Sequence, residues 1–97
     1  MREFKPGTIV KHFKRETIDN DVLKENPNIY LYEIIGTAKH TETGESLFIY
    51  KPLYESDCTA DLDYAARPFD MFMSEVDKDK YPNIKQKYRF EEYKEGE

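Results

Sequence analysis

The sequence predicts a small, mainly β domain built around one central hairpin, with one short helix. Three features predict it. Tyr32, Ile34, Gly36, Ala38 and His40 fall on alternate positions, the period of a strand. A polar turn, Thr41-Glu42-Thr43-Gly44-Glu45, follows at once, and the β-rich run Leu47-Phe48-Ile49-Tyr50 follows the turn. The chain of 97 residues is short enough for one domain, spanning 1–97 with its core over about 7–92.

Taken in order, Lys5-Pro6-Gly7 marks a turn, and Thr8-Ile9-Val10-Lys11-His12-Phe13 reads as a first strand. Residues 14–28 form a long polar connection, either a surface loop or one helical turn around Ile18, Val22 and Leu23. In the central strand Glu33, Thr37 and Lys39 face away from the apolar set, and Ile35 breaks the alternation. Gly44 suits the left-handed position of a three-residue hairpin loop. That register sets Thr41 opposite Glu45, Ala38 opposite Phe48 and Gly36 opposite Tyr50. Proline removes a ladder donor, so Pro52 ends the second strand. The acidic stretch 55–63 reads as a loop. Pro68 then fits a first helical position, and Phe69, Phe72, Met73 and Val76 have the spacing of one buried stripe. Tyr88-Arg89-Phe90 reads as a last strand, with residues 93–97 fraying into solvent.

Composition narrows the function classes. Eight Tyr and six Phe supply burial area that a disordered chain would lack, although 36% of residues are charged. A net charge of −5 opposes binding to phosphate backbones. The basic clusters Lys11-His12-Phe13-Lys14-Arg15 and Lys85-Gln86-Lys87 are the only support for nucleic-acid binding, which is not expected. No apolar run approaches the ~20 residues of a membrane helix. Met1 is followed by charged residues rather than by an apolar leader, and the one cysteine, Cys58, has no internal partner. A cytoplasmic protein is expected. No pair of histidines or cysteines shows metal-ligand spacing, and no glycine loop or nucleophile elbow is present, so neither metal nor cofactor is expected.

His40-Thr41-Glu42-Thr43, with Gly7 and His12 before it and Tyr50, Leu53-Tyr54, Arg67-Pro68 and Met71-Phe72 after it, resembles the bacterial domain-of-unknown-function family 1653. The likeness runs from about Gly7 to about Val76. This chain differs from the family pattern in a longer connection at 14–28 and in carrying Ala65 where a Trp precedes the Arg-Pro pair. The resemblance implies a small β barrel or roll of SH3-like type, and it implies no activity.

Seven residues are candidates for a ligand site: His12, His40, Thr41, Glu42, Tyr50, Tyr54 and Arg67. His40 at a strand end either anchors the hairpin through a backbone bond or acts as a ligand or proton-transfer group. Glu42 beside it either stays solvated or orients the imidazole. Thr41 and Thr43 are ordinary turn residues. Tyr50 and Tyr54 read as core-edge rings with hydroxyls reaching outward. Arg67 either pairs with a nearby carboxylate or offers a two-pronged donor to a carboxylate or phosphate. The leading expectation is a non-enzymatic binding module for a small anionic molecule or peptide. Its rivals are a small hydrolase or transferase using His40 as base and Arg67 as stabiliser, and a structural adaptor without a ligand. The oligomeric state is open.

Overall fold

The computed structural model describes residues 4–54 and 63–94. The acidic stretch, with Cys58, lies almost wholly outside them, as does the end of the C-terminal tail.

The fold is mainly β, as the alternation predicts. Five strands form one antiparallel sheet: β1 (Ile9–His12), β2 (Leu31–Lys39), β3 (Ser46–Pro52), β4 (Ala65–Pro68) and β5 (Phe90–Glu92). Their order across the sheet is β4-β3-β2-β1-β5. Among the described residues the sheet is not closed, with β4 and β5 as its edges; the mainly β class holds, and the barrel or roll implied by the resemblance is not confirmed. The helical content also departs from the expected single helix. A 3-10 helix (Phe13–Thr17) and α1 (Asn20–Glu25) occupy the long connection, and α2 is only Phe69–Phe72.

The central hairpin is present, but its register differs from the expected one. The His40 and Glu45 backbones face each other (His40 N–H to Glu45 O, 2.7 Å), so residues 41–44 make a four-residue loop. Gly44, at φ 77°, takes the left-handed position there. Ala38 pairs with Leu47, Thr37 with Phe48 and Gly36 with Ile49, while Tyr50 pairs with Ile34. The register shifts between Ile34 and Gly36, where Ile35 breaks the alternation. A bulge adds one residue to one strand and therefore flips every later side chain to the opposite face. Strict alternation through 32–40 thus holds only as far as Ile34.

Pro68 is also reassigned. It closes β4 opposite Leu47 instead of opening a helix. An edge strand tolerates proline because its outer N–H groups need no ladder partner. Ala65-Ala66-Arg67-Pro68 carries no β-branched or aromatic residue, so its local sequence gives no strand signal.

Large rings build the core, as the composition suggests. Val10, Tyr32, Ile34, Phe48, Tyr50, Ala65, Phe72 and Phe90 form the main cluster. Phe72 and Phe90 stack with centroids 4.0 Å apart and planes 4° from parallel. Phe69 and Met73 pack against this cluster. Val76, the last member of the predicted stripe, leaves the helix and joins Phe13 and Ile84 in a second cluster, flanked by Tyr81.

Residues 74–89 form an arm with almost no regular structure, held by specific bonds. Arg89 N–H donates to Ser74 O (3.0 Å), Val76 N–H to Lys87 O (2.8 Å) and Phe13 N–H to Arg89 O (3.0 Å). The Glu16 carboxylate accepts from the backbone N–H groups of Lys85 (2.9 Å) and Gln86 (2.7 Å). Gln86, 7% exposed, donates its amide to Lys11 O and Tyr88 O. Lys78 donates to the carbonyls of Ile84 and Gln86. These contacts replace the ladder partners that the arm's buried backbone groups lack. Tyr93 N–H donates to Ile9 O (2.8 Å), which carries the pairing one residue past β5.

Candidate anion-binding site

The end of β1, strand β4 and the arm enclose a hollow of about 240 Å³ lined by His12, Phe13, Lys14, Arg67, Asp77, Lys80, Tyr81 and Arg89. Four of these side chains are cationic and one is a carboxylate, so the hollow carries about three excess positive charges within a chain of net charge −5.

His12 is the best-defined member. Strand alternation on β1 turns it, with Val10, to the buried face. Its ring stacks on Phe13 (4.4 Å) and Tyr30 (5.7 Å) and meets Phe90 edge-on (5.0 Å). It also caps the 3-10 helix, because Nδ1 accepts the Lys14 backbone N–H at 3.1 Å. An accepting Nδ1 carries no proton, so the neutral ring holds its proton on Nε2. Burial, then the charges of Arg67, Lys14 and Arg89, push the His12 pKa down from 6.5 to about 4. At neutral pH the ring is an uncharged donor through Nε2.

Arg67 reaches the hollow from β4. Its Nε donates to the Tyr50 hydroxyl at 3.4 Å, and its guanidinium carbon lies 5.4 Å from the Phe90 ring centroid. An aromatic face attracts the guanidinium and positions it without neutralising it. Arg89 comes from the arm, its backbone fixed by Ser74 and Phe13. Its Nε is buried and has no hydrogen-bond partner among the described residues. Among the described residues, no carboxylate forms an ion pair with Arg67 or Arg89. Leaving a charged donor buried and unpaired costs about 1–3 kcal/mol or more. Asp77 lines the same hollow, but its Oδ1 already accepts the backbone N–H groups of Asp79 (3.0 Å) and Lys80 (3.4 Å).

Of the seven candidates, His12 and Arg67 come together, with Tyr50 beneath Arg67. His40, Thr41 and Glu42 do not line the hollow; they sit on the hairpin loop. There His40 Nδ1 accepts the backbone N–H groups of Glu42 (3.2 Å) and Thr43 (3.3 Å), the anchoring role open to a histidine at a strand end. Tyr54 packs against the main core, and its hydroxyl meets that of Tyr32 at 2.8 Å. Lys14, Lys80 and Arg89 escape the sequence reading. Lys14 lay in view inside a basic cluster, but nothing local marked the other two, since only the arm's return brings them beside β1.

The basic clusters meet elsewhere. Lys11, Arg15 and Lys85 line a wider, more open depression of about 480 Å³, interleaved with Glu16 and Glu91. Carboxylates spaced among the cations oppose a phosphate backbone. Among the described residues, no three His, Cys, Asp or Glu side chains group as metal ligands, and no helix is long and apolar enough to cross a membrane.

A family model described as "Protein of unknown function (DUF1653)" matches residues 8–92. No curated protein and no solved structure matches the chain.

Proposed function

We propose a function from the geometry, since the chain belongs to the DUF1653 family and its description assigns none: a non-enzymatic module that binds a small anion in the hollow between β1, β4 and the arm. The observation that carries this reading is the Arg89 guanidinium, whose buried Nε has no hydrogen-bond partner among the described residues, beside Arg67, which forms no ion pair with a described carboxylate. A structural role alone would favour a carboxylate partner for each cation, because unpaired charge in a wall costs stability. A ligand that supplies the missing charge would offset that cost. A volume of about 240 Å³ lies below the ~300–1,000 Å³ of pockets that enclose drug-sized ligands. The hollow therefore suits the charged head of a small molecule, or the charged end of a peptide.

The hydrolase or transferase reading requires His40 beside Arg67. His40 instead serves the hairpin turn, and His12 is held as a donor by the Lys14 bond and by its low pKa. Nothing here favours a general base poised near pH 7.

Thermal unfolding at constant ionic strength tests the module. Sulfate, inorganic phosphate, acetate and citrate replace chloride in turn. At least one should raise the Tm in the parent, by linkage to the folded state. The rise should shrink in Arg67→Gln and Arg89→Gln, and persist in Lys39→Gln on the hairpin. If no anion raises the Tm beyond the chloride control, the reading is wrong.

A further inference from the structure

Resting on the anion-binding reading, we infer that the hollow takes a dianionic phosphoryl group, with His12 donating to it through Nε2 alongside Arg67 and Arg89. Charge is the first argument. Lys14, Arg67, Lys80 and Arg89 face a single carboxylate, Asp77, which is partly engaged by its own turn. A carboxylate ligand returns one negative charge to a site with about three to spare. A phosphoryl dianion returns two.

Direction is the second argument. The donors arrive from three separate parts of the chain: His12 and Lys14 where β1 enters the 3-10 helix, Arg67 on β4, and Lys80 and Arg89 on the arm. A planar carboxylate presents two oxygens in one plane to a single guanidinium fork. A tetrahedral phosphoryl group presents three acceptor oxygens on diverging axes, which suits donors converging from several sides. His12 fits this set as an uncharged donor, since its Nδ1 is committed to the Lys14 backbone N–H. Phe13 and Tyr81, packed edge-to-face at 4.9 Å, add an apolar wall for the organic part of an ester.

The proton inventory makes a pH signature. His12 stays neutral above about pH 5, so the ring adds no change of charge to the site from pH 5.5 to 8. A phosphomonoester gains its second charge near pH 6. Its affinity should therefore rise about fourfold across that range, whereas sulfate, already a dianion, should bind evenly. An imidazolium in the site would give the opposite trend for both ligands, with affinity falling as pH rises.

Calorimetric titration of the whole chain with phenyl phosphate, inorganic phosphate, sulfate and acetate at pH 5.5 and 8 tests this. At pH 8 the two phosphates should bind at least tenfold tighter than acetate. Tighter binding of phenyl phosphate points to an ester as the natural ligand, and parity with inorganic phosphate points to the free ion. Lys80→Gln and Arg89→Gln should each weaken phosphate binding about tenfold or more. Arg67 touches Tyr50 and Phe90, so Lys80→Gln is the variant least prone to a folding defect. Acetate binding as tightly as phosphate, or phosphate affinity falling with rising pH, overturns the phosphoryl assignment and leaves anion binding standing. No heat with any of the four overturns both.

Discussion

Acidification from pH 7 to pH 5 should destabilise this protein through His12, by an amount that can be worked out in advance. The folded ring has a pKa of about 4, against 6.5 when exposed in the unfolded chain. Between those values the unfolded chain takes up a proton that the folded chain refuses. Stability contributed by the neutral ring is therefore complete above about pH 6.5 and is lost as pH falls toward 4. At pH 5 the unfolded ring is almost fully protonated and the folded ring almost fully neutral, which corresponds to a loss of about 2 kcal/mol relative to pH 7. By pH 4 and below, the loss approaches about 3 kcal/mol. Carboxylates also titrate in this range, so the comparison needs a partner variant. His12→Asn places an oxygen where Nδ1 now accepts the Lys14 N–H and does not titrate. It will be less stable outright, because the ring contacts with Phe13, Tyr30 and Phe90 are gone. The stability gap between parent and variant should narrow by about 2 kcal/mol between pH 7 and pH 5. Urea unfolding followed by far-ultraviolet circular dichroism at pH 5, 6 and 7 measures that gap. A gap that stays constant would refute the neutral, buried imidazole and the donor role built on it.

Arg67→Gln removes a positive neighbour that disfavours the imidazolium, so the His12 pKa should rise above about 4, read by NMR titration of the ring. Glu16→Ala frees the Lys85 and Gln86 N–H groups and should cost about 1–3 kcal/mol, with faster hydrogen exchange at those two amides. Phe72→Ala empties a fully buried site stacked on Phe90 and should cost about 3–5 kcal/mol in urea unfolding. Gly44→Ala puts a Cβ into a left-handed backbone at φ 77° and should cost about 1 kcal/mol, measured the same way.

Local chemistry wrote the hairpin, the aromatic core and the β class into the sequence. Alternation, turn glycines and ring content act between residues a few positions apart, so their consequences can be read in one dimension. Ile35 marked the irregularity, but alternation could not say that the chain would bulge there and turn the second half of β2 over. The 3-10 helix and α1, within a connection read as either loop or helical turn, carry no strong period. Strand β4 had no local signal at all; it exists because β3 offers an open edge.

The site divides along the same line. His12 and Arg67 stood out as chemistry without an obvious packing role, and the fold brings them together. His40 and Glu42 stood out for the same reason but belong to the hairpin turn, because an imidazole next to free turn N–H groups satisfies them first. Lys80 and Arg89 were silent, since their meaning depends on an arm that Glu16 and Gln86 pull back across some seventy positions of chain. Residue types and periods, then, determined which groups were available. Only the long-range backbone bonds of the arm decided which of them share a hollow, because convergence of charge is a property of distances in space that no spacing along the chain encodes.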